Sequence, residues 1–182
     1  MKAVLETKRL VLRNFRLSDA ESMFESYCHN ENITRYLTWY PHVDVQATRD
    51  FITQFQLPGI EKDNALDLAI TLKGEDQVIG SIGTVNDFYQ DGYGEIGYVI
   101  GEKYWNQGYM SEVLSRILKH CFEDIRVNRV EAIHYRLNPA SGKVMAKCGM
   151  KQEGIGIQEL KIKGLYHDVV HYAITQEMWQ RR

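Results

Sequence analysis

The chain has 182 residues, 44% of them hydrophobic, which suits one globular domain with a sizeable core, so residues 1–182 are taken as a single predicted domain. Lysine and arginine total 22 against 24 acidic residues, a formal net charge of −2. This balance gives no long-range attraction for a polyanion, and we expect no direct nucleic-acid binding. No apolar stretch approaches the roughly 20 residues of a membrane span, and Met1–Leu12 lacks the apolar run of a secretion signal. We therefore expect a cytoplasmic protein without membrane contact.

The cysteines and histidines give no pattern typical of a metal site. Cys28, Cys121 and Cys148 are odd in number, far apart and next to apolar residues, which predicts core packing rather than a disulfide framework. His167 and His171 are four residues apart, but they fall in a predicted strand, where that spacing does not bring two ligands together on a helix face. We therefore predict no metal.

The first part of the chain reads as a strand followed by two helices. Arg9–Phe15 alternates apolar and polar residues, as a strand does. Ser18 and Glu21 have the spacing of a capping box, which predicts that a helix begins there. A second helix is predicted over Gln46–Phe55, and the aromatic segment between the helices, Tyr36–His42, is expected to line a site.

The rest of the chain alternates strands and helices. Strands are predicted at Ala65–Leu72, Gln77–Asn86, Tyr93–Ile100, Val130–Leu137, Gln152–Lys161 and Leu165–Thr175. Apolar residues recur at helical spacing from Gly108 to Phe122, and Asn138–Pro139 begins a short helix that Gly149 ends. This order predicts an α/β (α+β) fold with a mixed, mostly antiparallel sheet of about seven strands and about four helices.

The strand at Tyr93–Ile100 runs through a polar turn into the long helix, and this junction could bind an anion. Gly108 lets the backbone approach a ligand closely, and the first free amides of the helix, Gly108–Ser111, lie at the positive end of its dipole. A pyrophosphate would suit this arrangement. On physical grounds alone, a plain strand-turn-helix with a glycine needed only for the turn fits equally well.

Two segments of this junction, EIGYVI (95–100) and YWNQGYMSE (104–112), closely resemble the acetyl-CoA-binding motif of RimJ/RimL-type GNAT N-acetyltransferases. The opening ETKRLVLR (6–13) and the later segments NRVEA (128–132), NPAS (138–141) and KCGM (147–150) resemble the same branch, so the likeness covers nearly the whole chain. The broader superfamily has Gln or Arg where Trp105 stands and Gly or Ala where Met110 stands, a departure that this branch often shows.

The resemblance implies the GNAT acyl-CoA N-acyltransferase fold, with acetyl-CoA as co-substrate and no metal. In such proteins the strand equivalent to Glu95–Ile100 parts from its neighbour after pairing, and its backbone at Val99 and Ile100 would hold the pantetheine and the acetyl carbonyl. The resemblance further assigns acetyl-CoA binding to Gln107, Gly108, Tyr109, Met110 and Ser111 around the pyrophosphate, and to Asn138, Ser141 and Lys143 on the later helix.

The catalytic roles follow from the same resemblance. An attacking amine must be neutral, although amines are partly or mostly protonated near pH 7, so a base is expected. Glu95 is the first candidate and Glu159 the second, while a strand carboxylate in an ion pair is the plainer interpretation of each. Ser141 would donate to the departing thiolate, because Met145 stands where many relatives have a tyrosine; an ordinary first-turn serine is its plainer interpretation.

The acceptor is expected to be a primary amine, with a protein N-terminal α-amino group of the ribosomal-protein type as the first choice. The predicted acceptor wall consists of Tyr36, Trp39, Tyr40, His42 and Tyr89, although core packing explains Tyr36 and Trp39 nearly as well. The alternatives are a small amine such as a polyamine, amino acid or aminoglycoside, and a non-catalytic acyl-CoA-binding module. A Rossmann-type binder is disfavoured because the GxGxxG spacing is absent. A homodimer through the two late strands and Trp179 is left open.

Overall fold

The computed structural model describes residues 4–58, 66–85 and 92–182. The strands are β1 Leu5–Glu6, β2 Leu10–Arg13, β3 Asp67–Leu72, β4 Val78–Thr84, β5 Tyr93–Ile100, β6 Arg129–Tyr135, β7 Lys151–Ile162 and β8 Leu165–Thr175. The α-helices are α1 Ala20–Met23, α2 Glu31–Thr34, α3 Val45–Phe51, α4 Tyr109–Lys119, α5 Pro139–Lys147 and α6 Gln176–Gln180, and π-helical turns extend α1 to Cys28, α3 to Gln56 and α4 to Ile125. None of the helices in these ranges is both long and apolar enough to cross a bilayer.

The strands form one mixed sheet in the order β1-β2-β3-β4-β5-β6-β8-β7. Antiparallel pairing joins β1 to β2, β2 to β3, β3 to β4, β6 to β8 and β7 to β8, whereas β5 and β6 are parallel. The predicted fold class is therefore confirmed. The sheet has eight strands rather than about seven, because the two-residue strand β1 is too short to give an alternation pattern.

The contacts within the chain divide it into two compact units, Met1–Gly83 with Tyr98–Tyr109, and Thr84–Gly97 with Met110–Arg182. A single domain over residues 1–182 stays a prediction. In the first unit, α1 and α3 bury their apolar side chains against β3 and β4, and the buried cluster comprises Phe15, Ala20, Met23, Tyr27, Cys28, Ile33, Ile52, Ala69 and Val78. Burial of such side chains is the main term that stabilises the unit.

A buried ion pair connects the end of β2 with the start of α1. Both guanidinium nitrogens of Arg13 donate to the Asp19 carboxylate at 2.8 Å, and the Asp19 carboxylate raises the pKa of Arg13. The same carboxylate accepts from the Arg16 backbone N–H at 2.8 Å. The predicted capping box of Ser18 and Glu21 is therefore wrong. A 3₁₀ turn begins one residue earlier than Ser18, and Asp19 supplies the capping carboxylate.

In the second unit, α4 buries one face, as its apolar spacing predicts; the buried residues are Met110, Val113, Leu114, Ile117 and Leu118. Phe122 stacks on Trp179 with ring centroids 5.5 Å apart, so Trp179 is already engaged within the chain. A homodimer through this residue stays a prediction. Gly149 adopts φ +80° directly after α5, which confirms the predicted helix end.

The three cysteines are free and buried, which confirms the prediction that they pack in the core. Cys28 and Cys121 are 0% exposed and Cys148 is 2% exposed. Burial raises the pKa of Cys28 and of Cys121 to about 12, and it also raises the pKa of Cys148. All three side chains therefore behave as small hydrophobic groups.

Candidate active site

The end of β5 carries the backbone groups that are predicted to bind pantetheine. The Val99 side chain packs against the core cluster of the first unit. Gly80 on β4 lies so close that an added Cβ would stand 2.5 Å from the Val99 carbonyl oxygen, so only glycine permits this approach. The indole Nε1 of Trp105 donates to the Ile100 carbonyl at 3.0 Å. The last residues of β5 are thus fixed by contacts within their own unit.

The turn after β5 uses two left-handed residues. Asn106 has φ +60° and Gly108 has φ +78°, and these are the residue types that adopt this region at low cost. The Gln107 side chain donates to the Lys103 carbonyl at 2.9 Å, which closes the turn. Helix α4 begins at the next residue, Tyr109, where amide groups have no acceptor within the helix. Free amides at a helix N-terminus suit a phosphate group, and the binding of pyrophosphate at Gln107, Gly108 and Tyr109 stays a prediction.

Arg9 contacts this turn, which no pattern in the sequence predicts. Its Nη1 donates to the Gln107 carbonyl at 3.0 Å, across 98 positions of sequence. The guanidinium carbon lies 4.2 Å from the centroid of the Tyr109 ring. In the sequence, Arg9 was noted only as part of the opening motif at residues 6–13. No local pattern connects it with the turn at Gln107, which lies 98 positions later.

The next two predicted cofactor residues belong to the second unit. The Met110 side chain is 5% exposed and lies in the core. The Ser111 carbonyl accepts from the Cys148 thiol at 3.3 Å, which joins α4 to the end of α5. Because the Met110 side chain is buried, its predicted role toward a phosphate rests on the main-chain amide. The methionine in the motif thus has a packing explanation.

Helix α5 carries the remaining predicted cofactor residues. Asn138 precedes Pro139, the first helical residue, but with φ −115° and ψ 65° its side chain makes no capping hydrogen bond, so the predicted cap is right in position only. The Ser141 amide donates to the Asn138 carbonyl at 3.2 Å, which places both residues on the first turn. Met145 is 1% exposed, so it is a core residue at the position where many relatives have a tyrosine. Lys143 is exposed.

Glu95 lies on β5, next to β6 in the second unit. It is half-buried and pairs in register with Glu131 of β6. Burial, and then the charge of Glu131, raise the pKa of Glu95. The Glu131 carboxylate is itself held by the Nε of Arg129 at 2.5 Å, and Arg129 also pairs with Glu153. The Glu95 carboxylate therefore accepts a proton more readily than an ordinary carboxylate, and its role as a general base stays a prediction.

The pairing between β5 and β6 is short. Tyr93, Gly94 and Glu95 are in register with Arg129, Val130 and Glu131. Within the second unit both strands continue beyond this point, and Ala132 and Ile133 of β6 then pair with β8. The parting of these strands that the resemblance implies stays a prediction.

Glu159 lies on β7 and is exposed, and it pairs with a histidine that the sequence had raised only as a metal candidate. The Nε2 of His171 lies 2.7 Å from the Glu159 Oε2. On β8, His171 pairs with Ile133 and Ala173 pairs with Glu131, so His171 and Glu131 project from the same face of the sheet. The second unit thus brings Glu95, Glu159 and His171 within electrostatic range of one another.

The predicted acceptor wall is brought together only in part. The Trp39 and His42 rings have centroids 5.2 Å apart, and both contact the Phe51 ring. His42 Nδ1 lies 2.8 Å from the Thr48 hydroxyl, and burial lowers the pKa of His42. Tyr36 lies under the Arg35 guanidinium at 4.8 Å, whereas Tyr40 is 67% exposed. Tyr89 lies outside the described residues.

Comparisons with known proteins agree with this geometry. The family description "Acetyltransferase (GNAT) domain" matches residues 9–151. An uncharacterized N-acetyltransferase of Bacillus licheniformis, p20, is 31% identical over 94% of this chain and 96% of its own length. The crystal structure of a GNAT-family acetyltransferase from Bacillus anthracis superposes with a TM-score of 0.84 at 27% identity, covering 96% of this chain and 99% of that one.

The chain therefore belongs to the GNAT acetyltransferase family, and it is an acetyl-CoA-dependent N-acetyltransferase. Its relatives also support the RimJ/RimL-like branch. One of them is the [ribosomal protein uS5]-alanine N-acetyltransferase of Escherichia coli, which is 27% identical over 98% of this chain and 93% of its own length.

Proposed function

We propose that the protein transfers the acetyl group of acetyl-CoA to an N-terminal α-amino group of a protein, in a ternary complex and by direct attack. The observation that carries the proposal is the likeness, along nearly the whole chain, to the Escherichia coli enzyme that acetylates the alanine of ribosomal protein uS5. A ribosomal protein N-terminus is accordingly the proposed acceptor.

The backbone arrangement supports the cofactor-binding residues that the resemblance implies. In the first unit, the main chain of Val99 and Ile100 would hold the pantetheine arm, and the turn at Gln107–Tyr109 would hold the pyrophosphate with free amides. In the second unit, the amides of Met110 and Ser111 and the side chains of Asn138 and Lys143 complete the proposed set. When bound, acetyl-CoA supplies a thioester carbonyl for attack by the amine.

Glu95 is the proposed base. Its raised pKa makes it a better proton acceptor than an exposed glutamate, because burial and Glu131 disfavour its charged form. The incoming ammonium group gives one proton to Glu95, directly or through water, before the new C–N bond forms. The nitrogen loses a second proton as the C–S bond breaks. Ser141 passes this proton to the departing CoA thiolate, which becomes a thiol, and Glu95 releases the first proton to solvent.

The lower pKa of an α-amine favours it over an alkylamine as the acceptor. Reference pKa values are about 7.8 for an α-amino group and about 10.4 for a lysine-type amine, a gap equivalent to roughly 3.5 kcal/mol. A carboxylate with a raised pKa can deprotonate the first far more easily than the second. This argument supports a peptide N-terminus over a polyamine as the acceptor.

Ser141 is the proposed donor to the thiolate that departs. It lies on the first turn of α5, where the helix dipole also favours a developing negative charge. Met145 offers no alternative, since its side chain is buried and has no proton to donate.

The test combines calorimetric titration of acetyl-CoA with thiol release over a panel of acceptors. The panel contains peptides that begin with Ala or Ser, the same peptides with blocked N-termini, a polyamine, an amino acid and an aminoglycoside. We expect turnover with the free peptides and none with the blocked ones. Turnover confined to a small amine, or acetyl-CoA binding without turnover on any free peptide, would overturn the proposed protein acceptor.

A further inference from the structure

Arg9 donates to a backbone carbonyl in the turn that precedes α4. It stands directly before β2, and its Nη1 reaches the Gln107 carbonyl at 3.0 Å. Its Nη2 lies 3.6 Å from the position that a Cβ on Gly108 would occupy. With the Tyr109 ring centroid 4.2 Å from the guanidinium carbon, Arg9 contacts Gln107 and Tyr109 and lies beside Gly108. All of these residues belong to the first unit.

The contact with Gln107 fixes the direction of the following amide. A trans peptide is planar, so the N–H of Gly108 points away from the carbonyl oxygen of Gln107. Because Arg9 holds this oxygen, the Gly108 N–H is directed to the side opposite the guanidinium. A rotated peptide would present the carbonyl oxygen there instead and would repel an anion.

The stacked position of Arg9 favours this role over direct contact with a phosphate. The guanidinium carbon lies over the Tyr109 ring, an arrangement that restricts the side chain. Its Nη1 donor already serves the Gln107 carbonyl, on the side away from the Gly108 amide. Lysine could offer one donor to the carbonyl, but it lacks the planar group that stacks and donates together.

We propose that Arg9 is a positioning residue for acetyl-CoA, which orients the Gln107–Gly108 peptide so that its amide faces the pyrophosphate. The inference rests on the proposed position of the pyrophosphate at Gln107–Ser111. It assigns to the opening motif of the chain a role in cofactor affinity, and none in the chemical step.

The test measures acetyl-CoA binding and turnover in Arg9→Gln and Arg9→Lys, with Lys8→Gln as the control for loss of one exposed positive charge. We expect Arg9→Gln to raise Kd and KM for acetyl-CoA about tenfold while kcat stays within about twofold. Arg9→Lys should fall between Arg9→Gln and the wild type, and Lys8→Gln should match the wild type. Thermal melting of each ligand-free variant shows whether it is folded, and a folded Arg9→Lys carries the test if Arg9→Gln is not.

Two comparisons separate positioning from direct contact. CoA and dephospho-CoA should lose affinity equally in Arg9→Gln, and the dependence of Kd on salt should keep its wild-type slope. A loss confined to CoA, or a shallower salt slope, would overturn the proposal in favour of a direct phosphate contact. Unchanged Kd in Arg9→Gln would overturn it outright, whereas a wild type that does not bind CoA would instead refute the proposed cofactor site.

Discussion

Two glutamates in the second unit show how position in a sheet decides what a carboxylate can do. Glu95 lies on an inner strand, is half-buried, and has its pKa raised by burial and by Glu131. Glu159 lies on β7 at the edge of the sheet, is exposed, and is paired with His171 at 2.7 Å. The first accepts a proton more readily than an ordinary glutamate, whereas the second is solvent-exposed and lies within hydrogen-bond distance of a histidine nitrogen. The residue type alone does not distinguish them.

The largest expected effect is that of Glu95→Gln. Loss of the base should lower kcat about 10²–10⁴-fold near pH 7.5, while the Kd for acetyl-CoA stays within about twofold. Steady-state thiol release and calorimetry measure the two quantities, with Glu153→Gln as an exposed control on the same unit. A loss of kcat below about threefold would show that Glu95 is only a structural carboxylate.

A smaller effect is expected at the proposed acid. Ser141→Ala should lower kcat about tenfold, because a thiolate with a reference pKa of about 8.5 departs fairly well without a donor. The pH at which activity falls on the acid side should not move, since Glu95 is unchanged. A displaced acid limb in the pH profile of this variant would mean that Ser141 acts through Glu95 rather than on the thiolate.

Glu159→Gln should cost less still. An exposed carboxylate in an ion pair makes a small contribution, so we expect kcat to fall by about threefold or less. The assay is the one used for Glu95→Gln, carried out at the same pH. If Glu159→Gln lost as much activity as Glu95→Gln, the contrast between the two glutamates would fail and Glu159 would become the better candidate for the base.

The finest test is Glu131→Gln, which should change the pH profile more than the rate. Glu131 raises the pKa of Glu95, so its neutral replacement should lower that pKa. The deprotonated base then persists to lower pH, and the acid limb of kcat/KM should move downward. The plateau rate should stay within about twofold, and Arg129 keeps Glu153 as a partner. An acid limb that stays in place would show that another group controls it.

The sequence predicted the periodic elements well and the contacts between distant residues poorly. The bounds of β5 and β8 coincide with the predicted Tyr93–Ile100 and Leu165–Thr175, because alternation along a strand is local information. Helix α2 was missed because its four residues are too few to show a helical period.

In the site, the turn before α4 was predicted, because a glycine at a helix start and the free amides there are local features of the sequence. The distant residues that contact this turn were not predicted. The contact of Arg9 with Gln107, and that of Glu159 with His171, depend on how strands are ordered in the sheet, and no spacing in the sequence encodes that order. The capping box failed for a related reason: the nearby Asp19 is held by Arg13, and it caps the turn in place of Ser18.

Because its cysteines are buried, the native protein should be almost unreactive toward thiol reagents. A thiol reacts in its thiolate form, and burial raises the pKa of Cys28 and of Cys121 to about 12. Cys148, at the C-terminal end of α5, is only 2% exposed. A colour reagent for thiols added to the folded enzyme should therefore report only the CoA released by each turnover. Denaturation should expose the 3 cysteines of the chain, so the same reagent would count unfolded molecules.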